Sequence, residues 1–258
     1  MNALRKLGPA LFAISMIFFG IQYLRAGSYV GGLPPVAPWA PGGKLGADLT
    51  GVLLLAGGAS VLIGKRARAG ATLIGWFFLL CVLHMILTHW HGVLYDGVDR
   101  TRVLEPLALG GAALALISIL PSRSGLLMRS PGWQTRLGCW LFALTLIVFG
   151  YQHYLYASFI ATLVPAWIPF HLFWVYFTGI GFVVTGLAIL VERFGAQLAS
   201  TWLGIMFLLW FVLLHIPRAV SRNTRDEWNS AFVALAMAGA SFIVARVMPG
   251  DDLAISLR

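Results

Sequence analysis

The chain has 258 residues, of which 59% are hydrophobic and only 10% are charged, and its formal net charge is +9. A soluble domain carries about a quarter charged residues, so this composition excludes a soluble globular protein. In a soluble chain such a positive charge would suggest nucleic acid, but basic residues beside apolar helices orient those helices in a bilayer. We therefore expect the lipid bilayer as the partner of most of the surface, and no nucleic acid.

Eight apolar stretches follow one another along the chain, each close to the roughly 20 residues that cross about 30 Å of hydrocarbon. They predict an all-α polytopic membrane protein with transmembrane helices near residues 8–26, 46–64, 70–90, 104–120, 137–157, 170–191, 197–216 and 228–247. The first stretch follows Arg5 and Lys6, as the apolar region of a signal peptide would. Because it resembles the fifth stretch, which cannot be a signal, we interpret it as a helix of the mature protein.

The second half of the chain repeats the first, roughly 130 residues later. The matched segments are Phe19–Tyr23 with Phe149–His153, Thr50–Gly51 with Thr178–Gly179, Thr101–Arg102 with Thr224–Arg225, and Glu105 with Glu227. We divide the chain into a first four-helix unit, residues 1–126, and a second, residues 127–258. Four helices return the chain to its starting side, so both units enter the membrane in the same direction. The sequence thus predicts two parallel-repeat four-helix bundles.

Basic residues are unevenly distributed between the two sets of alternate loops. The set that includes both termini holds Arg5, Lys6, Lys65, Arg66, Arg68, Arg123, Arg129, Arg136, Arg193, Arg246 and Arg258. The other set holds Arg25, Lys44, Arg100, Arg102, Arg218, Arg222 and Arg225, and more of the acidic residues, whereas the first holds Glu192, Asp251 and Asp252. Loops rich in Lys and Arg stay in the cytoplasm. We expect a multi-pass protein of the bacterial inner membrane with both termini in the cytoplasm.

Polar residues inside the apolar stretches lie toward the outer ends of the predicted helices. Such residues are expensive in lipid, so they face the bundle interior, a partner or a cavity. The candidate ligand-binding residues are Gln152, His153, His171, His215, Arg225 and Glu227 in the second half, with Gln22, Arg102 and Glu105 in the first. Two structural alternatives stay open: the glutamines as hydrogen-bonding contacts between helices, and Arg102–Glu105 and Arg225–Glu227 as ion pairs at helix starts.

The histidines do not form a recognisable metal motif. His84 and His91 share a helical face but lie about 10.5 Å apart along it, and His89 points to another side. No two histidines are four residues apart, so a helical zinc pair is absent from the sequence, and no Cys-x-x-Cys is present. His153 aligns with Tyr23 and not with a second histidine, which argues against a haem site in both halves. We predict no metal site, and no motif identifies a catalytic reaction.

The second half resembles DoxX-like membrane proteins over essentially its whole length. The segments that carry the resemblance are Phe149–His153, Leu163–Pro169, His171–Trp174, Thr178–Gly179, Leu214–Arg218 and Asp226–Ala236. The first half looks like a more diverged copy, which keeps Gly20, Gln22, Trp39, Pro41, Thr50, Gly51 and Glu105. The resemblance implies a four-helix membrane bundle as the unit, and some family members are associated with quinone-linked sulfur oxidation or oxidoreductase complexes. This chain departs from the family as a fused pair, and it lacks the Cys-x-x-Cys of quinone-using disulfide-generating enzymes.

These expectations lead to one functional hypothesis and two alternatives. The leading hypothesis is a membrane anchor or quinone-interacting accessory subunit of a redox system, with a membrane or periplasmic redox protein as partner. Its Gln and His side chains would hydrogen-bond quinone carbonyls, and Glu227 would accept a proton. The alternatives are a binding or transport protein for a small hydrophobic compound or lipid, and a structural partner of another membrane protein.

Overall fold

A computed structural model of the protein describes residues 1–121, 132–192 and 195–249. Its helices are α1 Asn2–Ala26, α2 Gly43–Ile63, α3 Ala67–Tyr95, α4 Gly97–Leu116, α5 Gly132–Leu155, α6 Ala157–Ala161, α7 His171–Val191, α8 Ala196–Trp210, α9 Ile216–Arg222 and α10 Arg225–Val247. A 3-10 turn, Ile117–Ile119, extends α4, and a π-helical turn, Phe211–His215, joins α8 to α9. The described residues contain no β-strand.

All eight predicted membrane-crossing helices are confirmed, because eight helical spans are long and apolar enough to cross a bilayer. One of them is composite: α8, the π turn and α9 form a single span, Ala196–Arg222. The helices also run past the apolar stretches. The prediction for α3 ended near residue 90, and the helix is kinked at His89 and then extends to Tyr95. The protein is therefore an all-α polytopic membrane protein.

Part of the orientation prediction falls outside the described residues. The charged residues concerned are Arg123, Arg129, Arg193, Asp251, Asp252 and Arg258. The predicted boundary between the two units, at residues 126 and 127, also lies there. The side on which the termini lie and the division at this boundary stay predictions.

The membrane-spanning helices form a ring in which each packs against the next along the chain, and α10 closes the ring against α1. The fourth helix of each half therefore packs against the first helix of the other half, as α4 with α5 and α10 with α1. In addition, α4 and α10 contact each other across the middle, which makes them the most buried spans. Each helix contact in the first half has a counterpart in the second, and the parallel repeat stays a prediction.

The closest helix approaches occur at matched glycines in the two halves. A methyl group on Gly138 of α5 would overlap the carbonyl oxygen of Gly111 in α4, and one on Gly239 of α10 would lie 2.9 Å from that of Gly8 in α1. Small residues let helices approach closely in lipid, where association relies on packing. These glycines hold the fourth helices against the opposite half.

The first apolar stretch is part of this packed bundle. Phe12, Met16 and Phe19 of α1 are fully buried, between α2 on one side and α10 on the other. A membrane-spanning helix with such contacts stabilises the fold.

We predict that Gly138→Ala destabilises the bundle, because the added methyl group meets the α4 backbone and not a flexible side chain. Overpacking of this kind costs about 1–3 kcal/mol in the free energy of unfolding. The matched control is Gly181→Ala in α7, where an added methyl group meets no atom within 4 Å. Thermal unfolding in detergent should show a lower Tm for Gly138→Ala alone; equal values for the two variants would contradict the close approach.

Candidate ligand-binding site

A cavity of about 820 Å³ lies within the second half, and we call it the second-half cavity. Its walls come from α5, α6, α7, α8–α9 and α10, with the first turns of α4 contributed by the other half. Ligand pockets in proteins commonly enclose about 300–1,000 Å³, so this volume suits a small molecule. The cavity lies toward the distal end of the bundle, where α1, α3 and α5 end and α4 and α10 begin.

The lining of the cavity is amphipathic. Its apolar part includes Phe149, Phe182, Phe207, Trp210, Leu214, Val233 and Met237. Its polar part includes Asp96, Thr101, Arg102, Glu105, Gln152, His153, Thr178, His215, Arg218 and Ser230. A ligand that fills this space meets a large apolar surface together with a limited set of hydrogen-bonding groups.

Five of the nine candidate residues predicted from the sequence line this cavity: Arg102, Glu105, Gln152, His153 and His215. The other four lie outside its lining. Gln22 is half-buried on α1 and His171 is half-buried at the start of α7. Arg225 is exposed at the start of α10, and Glu227 contacts a residue of the lining from behind.

Gln152 joins α5 to the first turn of α4. Its Nε2 donates to the backbone oxygen of Gly97 at 3.1 Å and to Oγ1 of Thr101 at 3.3 Å. The interhelical role left open by the sequence is thus present, but it uses only the amide nitrogen. Oε1 of Gln152 is buried without a hydrogen-bond partner among the described residues, and so is Oγ1 of Thr178 on α7. The two residues are only 6% and 5% exposed, so each atom lacks, among the described residues, the hydrogen-bond partner that buried polar atoms normally have.

The π-helical turn presents two further polar groups to the cavity. Pro217 lacks a backbone N–H and its ring clashes with the carbonyl four residues earlier, which favours a widened turn at this place. His215 is the last residue of the turn and Arg218 follows it in α9, and both line the cavity. Nδ1 of His215 and Nε of Arg218 are buried without hydrogen-bond partners in the described part of the chain. Wide turns of this type are frequent at functional sites.

Arg218 is held in place by Glu227. Oε1 of Glu227 accepts hydrogen bonds from Nη2 of Arg218 at 2.9 Å and from Nη1 of Arg222 at 2.6 Å. The ion pair of Glu227 with Arg225, an alternative that the sequence left open, is not formed, because α9 folds back and brings two other arginines to the carboxylate. Since this carboxylate already compensates two guanidinium groups, it is poorly suited to accept a proton. It positions Arg218 at the cavity wall.

Arg102 also pairs with a residue other than Glu105, the partner that the sequence left open. Its Nη1 donates to Oδ1 of Asp99 at 2.6 Å, and its guanidinium lies 5.5 Å from the centre of the Trp39 ring. The Trp39 ring in turn stacks on His89 with 4.3 Å between centroids. Glu105 makes no hydrogen bond or ion pair within the described residues, so it is a cavity-lining carboxylate left available for a ligand.

The N-caps of α4 and α10 give a different alignment of the two repeats from the one in the sequence analysis, which matched Arg102 with Arg225 and Glu105 with Glu227. The N-cap residues are Asp96 and Thr224, and each accepts a backbone hydrogen bond from the residue three places later. Those residues are Asp99 and Glu227, which both bind arginines. The acidic residue that occupies the same place in both halves is therefore Asp99, whereas Glu105 belongs to the first half alone. The match of Thr101–Arg102 with Thr224–Arg225 in the sequence therefore aligned the two helix starts incorrectly.

Asp96 is a titratable group at the cavity rim outside the membrane-spanning segments. Its Oδ1 accepts from the backbone nitrogens of Asp99, at 2.9 Å, and Val98, at 2.7 Å. These bonds favour the charged form and lower the pKa of the Asp96 carboxyl below its usual value. The cap therefore contributes fully above the pKa of the unfolded chain, and its contribution disappears as the pH falls through the lowered pKa.

The histidines occupy unrelated environments. Nδ1 of His153 lies 2.8 Å from the backbone oxygen of Phe149, while His91 lies against the exposed ring of Tyr95 on α3. Among the described residues there is no group of three or more His, Cys, Asp or Glu side chains that could hold a metal ion. Cys81 and Cys139 are both free thiols.

Two residues of the site, Thr178 and Arg218, were not among the candidates. Thr178 belonged to the repeated Thr-Gly pair, and Arg218 to the Leu214–Arg218 segment, so both signals were in the sequence. Their polar atoms are identified only by the orphaned, cavity-facing positions that the fold gives them.

Comparison with protein-family models, with curated proteins and with solved structures finds no match to this chain. The proposed function therefore depends on the geometry of the cavity and on the residues quoted above.

We predict that Glu227→Gln loosens the distal end of the second half. The change leaves the half-buried Arg218 without its anionic partner, and the loss of charge-assisted hydrogen bonds costs about 2 kcal/mol in stability. Asp226→Asn is the matched control, because Asp226 is exposed on the adjacent position of α10. The Tm in detergent should fall for Glu227→Gln and not for Asp226→Asn. An unchanged Tm in both variants would show that the ion pairs of Glu227 with Arg218 and Arg222 do not stabilise the fold.

Proposed function

We propose that this chain is a DoxX-like membrane protein whose second-half cavity binds a neutral amphipathic molecule, with an isoprenoid quinone as the leading candidate. In this proposal it serves as an anchor or accessory subunit of a redox system in the bacterial inner membrane, with both termini in the cytoplasm. The observation that carries the proposal is the convergence of four orphaned polar atoms, from Gln152, Thr178, His215 and Arg218, on an otherwise apolar cavity.

Buried polar atoms of native proteins are nearly always hydrogen-bonded, to protein or to something else. Four orphaned atoms in one cavity therefore support an occupant that supplies their partners. The aromatic and aliphatic side chains that form the rest of the lining, such as Phe182 and Phe207, support an apolar body on the same molecule. Together they favour a polar ring attached to a hydrophobic tail.

The charges of the lining favour a neutral head group. Arg102 and Arg218 each face a carboxylate, Asp99 and Glu227, so an anionic lipid phosphate would have to compete with an existing ion pair. A quinone needs no free cation. Its carbonyls accept hydrogen bonds from Nε–H of Arg218 and from the hydroxyl of Thr178, and the hydroxyls of the reduced form donate to Oε1 of Gln152 or to Glu105.

The alternative is a binding or transport protein for another small hydrophobic compound or a lipid. The size and apolar lining of the cavity favour such a ligand as much as a quinone, whereas the paired arginines favour a neutral molecule over an anionic lipid. The identity of the bound molecule separates these functions.

We predict that Thr178→Val weakens binding of decylubiquinone, a short-tailed quinone, to the purified protein. The substitution keeps the shape of the side chain and removes one hydrogen bond, which corresponds to about a fivefold higher Kd. Thr50→Val is the matched control, because Thr50 holds the equivalent place in α2 and is 3% exposed but does not line the cavity. Quenching of tryptophan fluorescence reports binding, since Trp174 and Trp210 line the cavity.

His215→Leu should weaken quinone binding similarly, because it removes Nδ1 of His215, another cavity-lining atom without a hydrogen-bond partner among the described residues. Equal Kd values for the wild type, Thr178→Val and His215→Leu would contradict the proposed site. Saturable binding of an alkane-tailed amphiphile without a quinone ring, together with no quinone binding, would favour the alternative.

A further inference from the structure

The first half has the same helical frame as the second, but its interior is filled differently. Phe19, Tyr23 and Phe78 hold the places that Phe149, His153 and Phe207 hold in the second half. The three second-half residues line the large cavity, whereas the three first-half residues are fully buried. Beside the loop between α1 and α2 the first half holds a space of about 20 Å³, enough for one water molecule.

The interior of the first half is filled by the chain itself. Leu33, Val36 and Ala37, from the loop between α1 and α2, are 3%, 8% and 3% exposed. We call residues 33–37 the plug. Leu33 and Val36 belong to the same buried cluster as Phe19 and Phe78, so the plug is part of the first-half core. Arg102 and Glu105 line both the small space beside the plug and the second-half cavity.

Tyr23 fastens the plug. Its hydroxyl donates to the backbone oxygen of Leu33 at 2.7 Å and accepts from the backbone nitrogen of Val36 at 3.2 Å. His153, its counterpart, bonds within its own helix instead. The second-half loop also behaves differently, since Val164 packs with Ala157 and Val175 in a separate small cluster and leaves the interior open.

We propose that the plug is a tethered occupant of a second amphipath site in the first half, so that the chain carries one open site and one self-occupied site. The ligand class, a neutral molecule with a hydrogen-bonding head and an apolar body, rests on the proposed function. With the plug withdrawn, the head group would meet Glu105 and Arg102, which line the space beside the plug. Because α4 carries Arg102 and Glu105, the two sites share a wall.

The plug is tested without any ligand through Cys81. This half-buried thiol of α3 packs against the buried cluster that contains Tyr23 and Leu33, and its counterpart Trp210 lines the second-half cavity. We predict that Tyr23→Phe, which removes every hydrogen bond of the Tyr23 hydroxyl to the plug, raises the rate of Cys81 labelling by a membrane-impermeant maleimide about tenfold. Tyr29→Phe is the matched control, since it removes a hydroxyl from the same loop and leaves the Tyr23 bonds intact.

Cys139, which is 1% exposed on α5, serves as the internal reference for general loosening. Faster labelling of Cys81 alone supports a plug that withdraws. An unchanged Cys81 rate in Tyr23→Phe, or an equal rise at Cys139, would overturn the assignment, because the loop would then be fixed core or the whole bundle would have loosened.

The second site itself is tested by counting bound decylubiquinone with native mass spectrometry. We expect one molecule per chain in the wild type and two in Tyr23→Phe at saturating quinone. One molecule in both proteins would overturn the second site while leaving the proposed function intact. No quinone in either would contradict the quinone proposal, and the Cys81 rates would then decide alone whether the plug withdraws.

Discussion

The close approach of α4 to α5 and of α10 to α1 is the constraint on which the rest of the structure depends. It is possible because Gly111 faces Gly138 and Gly239 faces Gly8, so that backbones meet without intervening side chains. In lipid, where helix association relies on such packing, these contacts hold the two halves together. They also carry the first turns of α4, with Arg102 and Glu105, into the wall of the second-half cavity.

The two halves share the same helical arrangement, but the first half packs a loop into its interior and the second half holds a cavity. The hydroxyl of Tyr23 donates a hydrogen bond to the backbone of Leu33 in the buried loop. Its counterpart His153 bonds the backbone of its own helix, at Phe149, and lines the cavity instead. The widened turn before Pro217 adds His215 and Arg218 to the open side. A few local differences in hydrogen bonding thus separate a filled core from a cavity of about 820 Å³.

Much of the fold was predictable because lipid imposes long apolar helices, and all eight were recognised from the sequence. The candidate site was predictable only in part. Gln152, His153 and His215 stood out as polar residues in apolar helices, and they line the cavity. The ion pairs were not predictable, because α9 folds back to place Arg218 and Arg222 on Glu227, and nothing in the local sequence reveals that return.

The repeat gave correct alignment where helices are long and misled at a helix start. Near Thr101 and Thr224 the similarity of three residue types suggested a pairing that the N-caps Asp96 and Thr224 exclude. The burial of residues 33–37 was not predictable either. A Pro-rich loop is typical of an exposed connection, and here the hydrogen bond from the Val36 backbone nitrogen to the Tyr23 hydroxyl holds it in the interior.

The central claim is that the second-half cavity holds a neutral amphipathic molecule. The most direct measurement is mass spectrometry of small molecules retained by the purified protein and by Ala234→Trp, which fills the cavity from α10, with the lipid-facing Val184→Trp as control. We expect one retained amphipathic molecule per chain in the wild type and in Val184→Trp, and its loss in Ala234→Trp. Equal retention in all three proteins, or no retained molecule in any, would contradict it.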